Sequence, residues 1–213
     1  MSTTYDVRTD PQAGIDAAIA SLRAGELVVL PTDTVYGIAA DAFSPTAVGR
    51  LLEAKGRGRD MPTPVLVGSV RTLDGLVDAV PDAARALADS FWPGGLTLVL
   101  PHAVTLAWDL GDTHGTVALR MPRDPVALAV LEQTGPLAVS SANRSGMPPS
   151  GDAAEAARQL GGAVAVYLDG GATVDTIPST ILDLTTDAPR LLRAGAVTLE
   201  QLQVVLPDLQ AQT

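Results

Sequence analysis

Residues 26–37 read ELVVLPTDTVYG, and they join a short apolar run to a polar loop. The run 26–31 ends at a proline, which predicts a strand that stops there. Hydroxyl-bearing residues dominate the next segment, 32–37. Those hydroxyls can either hold a small polar substrate or close a turn by bonding the local backbone, and taken alone the segment favours the turn.

Helices and strands are predicted to alternate on both sides of this stretch. Seven helices are expected, several of them after a capping residue, and they begin at Asp10, Ser44, 72, 82, Asp124, Asp152 and Thr198. Eight short apolar runs are predicted as strands, at 26–31, 64–67, 96–101, 116–120, 136–140, 164–168, 180–184 and 190–193.

The order of these elements predicts an α/β fold, with a twisted sheet that is mostly parallel or mixed and is flanked by helices. The last two strands are expected to form an antiparallel hairpin across 185–189. No composition break or repeat divides the 213 residues, so a single domain is predicted over 1–213, with a core from about 10 to 206 and short flexible termini. In such sheets ligands bind where strands end and loops begin.

The composition excludes several classes of protein. Hydrophobic residues make up 46% of the chain and charged residues 18%, which suits a buried core and argues against disorder. There are no cysteines, and the two histidines do not have metal-ligand spacing. No signal peptide is recognisable, and no apolar run approaches the ~18 residues of a membrane span. We therefore expect a cytoplasmic protein with no membrane partner and no protein-bound metal.

A cluster of cations, Lys55-Gly56-Arg57-Gly58-Arg59, stands out against an acidic background. The chain has 14 basic and 24 acidic residues, a net charge of -10, and Lys55 is its only lysine. Lysine and arginine together suit a polyanion, with phosphate as the first candidate. The same residues also suit the C-terminal dipole of a helix that ends at glycine, and this stretch alone does not decide between the two. The negative net charge argues against broad, non-specific binding of nucleic acid.

Two further features place polar groups after strands. The turn Ser140–Gly146 is rich in short donors, which can orient phosphate or carboxylate oxygens or form an ordinary strand-to-helix turn. Arg120 and Arg193 each end an apolar run, where an arginine needs an acidic partner or a bound anion. For either arginine alone, the internal acidic partner is favoured. No P-loop, dinucleotide fingerprint or GxSxG motif is present.

Together, these groups predict an enzyme that holds a nucleotide and a small carboxylate. Five widely spaced cations and several hydroxyl-rich turns lie in an acidic chain that has no thiol. Such a set acts by positioning its substrates and by neutralising their charge.

The order of the motifs resembles the YrdC-like family of threonylcarbamoyl-AMP synthases. The resemblance covers nearly the whole chain, and it is carried by the stretches PTDTVYGIAADA (31–42), KGRGRDMP (55–62), FWPGGLTLVL (91–100), VALRMP (117–122), SSANRSG (140–146), LDGG (168–171), PSTILDL (178–184) and LLRAG (191–195). The family's K-x-R and S-x-N signature falls on Lys55, Arg57, Ser141 and Asn143. The resemblance implies the single-domain form of the family fold, a twisted α/β sheet with a large concave cavity.

The resemblance also implies the reaction of an L-threonylcarbamoyladenylate synthase, which is a nucleotidyltransferase. Such an enzyme uses L-threonine, bicarbonate or CO₂, and ATP with Mg²⁺ to form threonylcarbamoyl-AMP and pyrophosphate. The product serves the N6-threonylcarbamoyladenosine modification of tRNA through a separate threonylcarbamoyl-transferase complex. Any contact of this chain with tRNA is expected to be indirect or weak.

Site residues follow from the same resemblance. Thr32 and Arg120 are expected to hold threonine, Arg120 through the carboxylate, while Ser179 or Thr180 closes that pocket. The residues expected around ATP are Lys55, Arg57, Arg59, Thr116, Ser141, Asn143, Ser150 and Arg193. The K-x-R and S-x-N members of this set are also the expected catalytic groups.

Two positions depart from the family pattern. Gly68 stands where many relatives carry a histidine that contacts threonine, and Met147-Pro148-Pro149-Ser150 replaces the usual Ser-Pro-Thr. The chain is expected to lack the C-terminal domain of longer relatives. Two other functions stay open: a non-catalytic maturation factor that binds double-stranded RNA or tRNA, and a carbamoyl-transfer module like the related domain of hydrogenase maturation proteins.

Overall fold

The computed structural model describes residues 2–173 and 177–210, and it places ten strands in one sheet. In chain order the strands are β1 (Thr3–Asp6), β2 (Val28–Leu30), β3 (Gly37–Asp41), β4 (Val65–Leu66), β5 (Leu96–Pro101), β6 (Thr116–Arg120), β7 (Leu137–Ser141), β8 (Val166–Asp169), β9 (Thr180–Asp183) and β10 (Arg190–Arg193). The α-helices are α1 (Gln12–Arg23), α2 (Pro45–Lys55), α3 (Leu73–Leu76), α4 (Asp82–Phe91), α5 (Pro125–Thr134), α6 (Ala153–Leu160) and α7 (Leu199–Val205).

The sheet is mixed, with the strand order β1-β8-β2-β3-β7-β4-β6-β5-β9-β10. Four neighbouring pairs are parallel and five are antiparallel. β9 and β10 form the antiparallel hairpin that the sequence predicts, with Leu191 opposite Leu182. The predicted α/β fold with a mixed, helix-flanked sheet is therefore confirmed.

Some elements differ from the sequence-based prediction. The sequence pattern does not predict β1, a short polar strand that pairs with β8 at one end of the sheet. It also misses β3, whose residues GIAAD are small and mostly buried in mid-sheet and so show no alternation. The helix predicted at 72–79 is a 3-10 turn followed by the single turn α3. Pro11, rather than Asp10, is the N-cap of α1.

Capping residues fix three of the helices that surround the site. Ser44, Asp124 and Asp152 each accept a hydrogen bond from a backbone N–H in the first turn of α2, α5 and α6. α2 ends with Lys55 and is followed by Gly56, whose φ of 61° lies in the left-handed region. The predicted helix end at a glycine is confirmed, and it sets the direction in which the basic loop leaves the helix.

Helices cover both faces of the part of the sheet formed by β8, β2 and β3. α1 and α5 enclose an apolar cluster around Leu22 and Val130, while α2 and α6 enclose another around Leu51. Val28 belongs to the first cluster and Val29 to the second, because successive side chains of β2 point to opposite faces. None of the described helices has both the length and the apolar character that a membrane span requires.

β5 and β6 present one apolar face and one mixed face. α4 and α7 pack against the face that carries Leu96 and Leu98. The alternate residues of β5 and β6, including Thr97 and Arg120, point to the other face. That face is the floor of a cavity, and it determines where a ligand can bind.

Candidate active site

A cavity of about 420 Å³ opens over β4, β5, β6, β7 and β9. Its lining includes three arginines and seven hydroxyl-bearing residues: Arg57, Arg120, Arg193, Thr32, Thr34, Tyr36, Thr97, Ser140, Ser141 and Ser179. No aspartate or glutamate is among the described residues that line it. In a chain with a net charge of -10, three guanidinium groups around one space make this cavity a candidate site for an anion.

Arg120, at the end of β6, is buried and held by three neighbours. Its Nε donates to the Gly94 carbonyl oxygen (2.9 Å), and its two terminal nitrogens donate to Thr34 Oγ1 (2.8 Å) and Asp33 Oδ1 (2.7 Å). Burial lowers the pKa of Arg120, and the charge of Asp33 opposes that change. The predicted internal acidic partner of Arg120 is therefore Asp33. Because a guanidinium has five N–H groups, donors are left for a ligand in the cavity.

Thr32 and Thr34 form a closed hydroxyl cluster next to Arg120. Thr32 Oγ1 donates to the Val35 carbonyl oxygen (2.7 Å) and accepts the Thr34 N–H (3.2 Å), which is the local turn that segment 32–37 favours. The two hydroxyl oxygens lie 3.1 Å apart. Since Thr34 Oγ1 accepts from Arg120, its own hydrogen is left for Thr32, and both hydroxyls are satisfied within the protein.

Arg57 reaches the cavity from the loop that follows α2. A terminal nitrogen donates to Ser140 Oγ (3.1 Å) at the end of β7. Its Nε is buried and has no hydrogen-bond partner among the described residues. Burial lowers the pKa of Arg57. A buried, unpaired donor on a cation is unfavourable until an anion binds, so Arg57 is a strong candidate ligand for phosphate.

Lys55 supports the turn after β7 and is not among the residues that line the cavity. It is 3% exposed, and its Nζ donates to the carbonyl oxygens of Ser141 (2.5 Å) and Asn143 (2.7 Å). Burial, with a smaller contribution from the charge of Arg57, lowers the pKa of Lys55 to about 8. The lysine thus fixes the backbone of the turn and adds positive charge near Arg57.

Asn143 and Ser141 complete this cluster. Asn143 Nδ2 donates to the carbonyl oxygens of Arg144 (2.9 Å) and Met147 (2.7 Å), while its Oδ1 is buried and has no partner among the described residues. Ser141 lines the cavity. The K-x-R and S-x-N residues, separated by more than 80 positions, therefore meet where α2 and β7 end.

A third cluster lies beside β9 and β10. Arg193 donates through Nε (2.9 Å) and a terminal nitrogen (2.7 Å) to the Ser179 carbonyl oxygen, and that nitrogen lies 3.1 Å from Ser179 Oγ. Ser179 Oγ in turn lies 2.8 Å from Thr97 Oγ1. Burial lowers the pKa of Arg193, and the charge of Arg120 lowers it further.

Within residues 2–173 and 177–210, Arg193 does not have the internal acidic partner that the sequence favours. Among the described residues, none of the ion pairs involves this arginine. Its donors are directed at Ser179 instead, because the chain from β10 passes close to residues 178–180. The prediction is confirmed for Arg120, whereas for Arg193 the part of the chain that the structure describes supplies no acidic partner.

Six of the predicted site residues are not among those that line the cavity: Lys55 and Asn143, which support the turn after β7, and Arg59, Thr116, Ser150 and Thr180. Arg59 forms ion pairs with two surface aspartates. The hydroxyl groups of Thr116, Ser150 and Thr180 each donate to a backbone carbonyl oxygen. Their contacts with ATP or threonine stay predictions. Within residues 2–173 and 177–210, no group of three or more acidic or histidine side chains is placed to hold a metal ion.

Gly68 lies against α5 rather than in the cavity wall. A Cβ at this position would lie 3.2 Å from backbone atoms of Leu131 and Glu132. Gly68 itself has no side chain with which to make the threonine contact that many relatives are expected to make through a histidine.

Four site residues were not identified individually from the sequence: Asp33, Thr34, Thr97 and Ser140. Thr34 and Ser140 lie inside segments whose hydroxyl content drew attention to them. Thr97 is the only polar residue in the apolar strand β5, and that interruption is the signal that could have identified it. Asp33 carries no such signal, because its role depends on contact with a distant strand.

The fold and the cavity together define an α/β protein with an arginine-lined cavity on one face of its sheet. Residues 20–195 match the model of the Sua5/YciO/YrdC family, which is described as telomere recombination. A curated relative from Mycobacterium tuberculosis is 56% identical over 209 residues, which cover 97% of this chain and 96% of the relative. The chain therefore belongs to the Sua5/YciO/YrdC family, as its motifs indicate.

Two further relatives connect the family to a named enzyme and a ligand. The threonylcarbamoyl-AMP synthase of Bacillus subtilis is 42% identical over 199 residues, which cover 92% of this chain and 57% of the relative. The crystal structure of Pyrococcus abyssi Sua5 complexed with L-threonine has a TM-score of 0.93 and 37% identity. The match covers 100% of this chain and 62% of the Pyrococcus chain, so these two relatives are longer proteins.

Proposed function

We propose that this chain is an L-threonylcarbamoyladenylate synthase, which joins L-threonine, bicarbonate and ATP into threonylcarbamoyl-AMP and releases pyrophosphate. The observation that carries the proposal is the set of three arginines, Arg57, Arg120 and Arg193, around a cavity whose described lining has no carboxylate. The relatives support it, because the Bacillus protein bears this name and the Pyrococcus structure contains L-threonine. A volume of about 420 Å³ also suits a small-molecule site.

Arg120 binds the carboxylate of threonine in this proposal. Its guanidinium plane is fixed by Gly94, Thr34 and Asp33, and its remaining N–H groups are available to the ligand. Ser179 lies on the same side of the cavity, and Thr180 holds the adjoining backbone through its bond to the Val197 carbonyl oxygen. Thr32 contributes mainly by shaping the loop, because its hydroxyl hydrogen is used by Val35.

Arg57, Ser141 and Arg193 contact the phosphates of ATP. Arg57 offers the terminal N–H groups that Ser140 does not use, and Arg193 offers a terminal nitrogen that makes no hydrogen bond within the described residues. Lys55 and Asn143 hold the turn on which Ser141 is carried. Mg²⁺ enters with ATP as part of the substrate.

The chemistry begins when the amine of threonine adds to CO₂ derived from bicarbonate and forms a carbamate. A carbamate oxygen then attacks the α-phosphorus of ATP, and pyrophosphate leaves. The attacking and attacked groups are both anionic, so their repulsion opposes the reaction. The three arginines lower that repulsion and neutralise the charge that develops on the leaving group. No covalent intermediate with the protein forms.

The product passes to a threonylcarbamoyl-transferase that modifies tRNA in the cytoplasm. Direct contact between this chain and tRNA is weak, because the cationic groups of the site face inward and the net charge is -10. The alternative of a non-catalytic RNA-binding factor lacks a specific observation in its favour, and so does a carbamoyl-transfer module.

Pyrophosphate release tests the proposal. The assay contains ATP and Mg²⁺, with threonine and bicarbonate each present or omitted. Release is expected only when both are present. Arg57→Ala should lower the rate about 100-fold or more, because it removes a charged donor to the transferring group. Arg85→Ala is the matched control, since that arginine lies on the surface in a pair with Asp74.

Release that is independent of threonine, or equal losses in the two variants, would contradict the proposal. Mass spectrometry of the quenched reaction gives the second readout. It should detect threonylcarbamoyl-AMP, or AMP in an equal amount after hydrolysis of the unstable product.

A further inference from the structure

Thr97 lies in the floor of the cavity and has no role in the function proposed above. It is 3% exposed, although it is the only polar residue of β5. The parallel pairing of β5 with β9 places Thr97 opposite Ile181, close to the start of β9 where Ser179 precedes the strand. Its hydroxyl lies 2.8 Å from Ser179 Oγ, and this is its only hydrogen bond within the described residues.

The two hydroxyls share more hydrogens than their mutual contact can use. Thr97 and Ser179 each carry one O–H, and the bond between them needs one of these two hydrogens. The remaining contact of Ser179 Oγ is with Arg193, which can only donate. One hydroxyl hydrogen of the pair therefore has no acceptor among the described residues.

Electrostatics decide which of the two hydroxyls keeps that hydrogen. If Ser179 donates to Thr97, both O–H dipoles point away from the Arg193 cation, and each bond in the chain strengthens the next. If Thr97 donated to Ser179 instead, the O–H dipole of Thr97 would point toward the Arg193 cation, which is unfavourable. The favoured order is therefore Arg193 to Ser179 to Thr97, and the free hydrogen belongs to Thr97.

The neighbouring hydroxyl pair shows the opposite situation. In the Thr32–Thr34 cluster, Thr32 gives its hydrogen to the Val35 carbonyl oxygen and accepts from Thr34. Both hydrogens have acceptors inside the protein, and that pair has no donor left for a ligand. The Thr97–Ser179 pair therefore keeps one hydroxyl hydrogen that a ligand can accept, whereas the Thr32–Thr34 pair keeps none.

We propose that Thr97 is a further substrate-binding residue, which donates a hydrogen bond to a carboxylate-type oxygen of the amino-acid substrate. That oxygen belongs either to the α-carboxylate or to the N-carboxylate formed from bicarbonate. A negatively charged acceptor is favoured over a neutral one, because the donor chain starts at a cation. The inference rests on the proposed function for the identity of the substrate.

Three variants test the proposal. Thr97→Val removes the hydroxyl and keeps the shape, whereas Thr97→Ser keeps the hydroxyl. Thr63→Val is the matched control: Thr63 is equally buried at 3%, its hydroxyl has no partner in the described part of the chain, and it is not a lining residue. Urea denaturation verifies folding, and Thr97→Ala is a second variant without the hydroxyl should Thr97→Val fold poorly.

Two measurements separate the possible acceptors. Calorimetry measures binding of L-threonine in bicarbonate-free buffer, and pyrophosphate release gives KM for threonine and for bicarbonate. Loss of a hydrogen bond to a charged oxygen should weaken the affected step about 10- to 100-fold in Thr97→Val. Weaker threonine binding without bicarbonate identifies the α-carboxylate. Unchanged threonine binding with a higher KM for bicarbonate identifies the N-carboxylate. Thr97→Ser and Thr63→Val should stay within about threefold of the unmodified protein, which is too small for loss of such a bond.

Two results would overturn the proposal. The first is a Thr97→Val variant that matches the unmodified protein in both measurements. The second is an equal loss in Thr97→Ser, which would show that packing rather than the hydroxyl matters. If the unmodified protein binds threonine but releases no pyrophosphate, the proposed function and the N-carboxylate as acceptor both fail, and calorimetry still decides whether Thr97 binds the α-carboxylate. Absence of threonine binding and of release in the unmodified protein would overturn both.

Discussion

At the scale of single residues, the ion pair between Asp33 and Arg120 differs from the other charge contacts of the described chain. The side chain of Asp33 is only 19% exposed and that of Arg120 only 8%. Asp33→Ala would leave a buried guanidinium without its counter-charge, and we expect the free energy of unfolding to fall by about 3–5 kcal/mol. Urea denaturation measures this change.

The control for that prediction is Asp74→Ala, which breaks the exposed pair with Arg85. Both side chains of this pair are at least half exposed, so the loss should stay within about 1 kcal/mol. Equal losses in the two variants would mean that Asp33 does not stabilise the buried arginine.

Lys55 gives a prediction for pH dependence at the same scale. Its pKa is lowered to about 8 in the unliganded protein, chiefly by burial. A bound triphosphate favours the charged lysine and so raises this pKa. Between the two pKa values, binding takes up a proton, and the affinity for ATP therefore falls as the pH rises above about 8.

Calorimetry in buffers with different ionisation enthalpies measures that proton uptake. The fall in affinity can reach about tenfold for each unit by which ATP raises the lysine pKa. The control is Lys55→Met. This variant should bind ATP more weakly than the unmodified protein and should not show the fall in affinity above about pH 8. If Lys55→Met shows the same fall in affinity and the same proton uptake, the proton belongs to another group.

At the scale of elements, the approach of the β10–α7 connection to the segment before β9 positions Arg193. A Cβ on Gly195 would lie 2.3 Å from the Pro178 carbonyl oxygen and 2.7 Å from the Thr180 nitrogen. Gly195→Ala must therefore move the two segments apart, which takes Arg193 away from Ser179. We expect stability to fall by about 1–3 kcal/mol and pyrophosphate release to decrease.

Gly49→Ala is the matched control for this change. Gly49 lies on the exposed side of α2, and a Cβ there would meet nothing within 4 Å. Alanine favours the helix, so this variant should gain about 0.5–1 kcal/mol without loss of activity. Thermal denaturation and the pyrophosphate assay compare the two, and a neutral Gly195→Ala would show that the close approach is unimportant.

Elements with strong periodic patterns were predictable from the sequence. β5 and β6 have the predicted bounds, because alternate residues of each strand face an apolar core and the cavity. β3 could not be predicted, because its small residues are mostly buried in mid-sheet and lack alternation. Tyr5 is the only hydrophobic residue of β1, so no periodic pattern marks this strand, and its pairing with β8 makes it one.

The candidate site was predictable in part for a related reason. Lys55, Arg57 and Asn143 belong to local motifs, and the structure brings them together. The involvement of Asp33 and Thr97 depends on contacts with distant strands, which no local pattern encodes. Motifs also do not reveal where a hydroxyl donates, and the bond from Thr180 to a backbone carbonyl oxygen illustrates this.

At the scale of the whole molecule, charge is separated between the surface and the cavity. The chain has 24 acidic and 14 basic residues, yet the charged residues in the described lining of the cavity are all arginines. A small anion can enter the cavity, where the positive charges of Arg57, Arg120 and Arg193 attract it at close range. A long polyanion must instead lie against a surface that is negative on average. The same protein should therefore bind ATP and reject duplex RNA.

Fluorescence anisotropy of a labelled RNA duplex tests this distinction. We expect no binding at micromolar protein in about 0.15 M salt, where screening reduces long-range attraction and leaves short-range contacts in the cavity. ATP should still bind under these conditions, and Arg57→Ala should weaken it. The opposite result would be tight RNA binding that falls by about 10³ or more between about 50 and 200 mM salt and is indifferent to Arg57→Ala. That outcome would place the main cationic surface outside the cavity and would favour the RNA-binding alternative over the synthase.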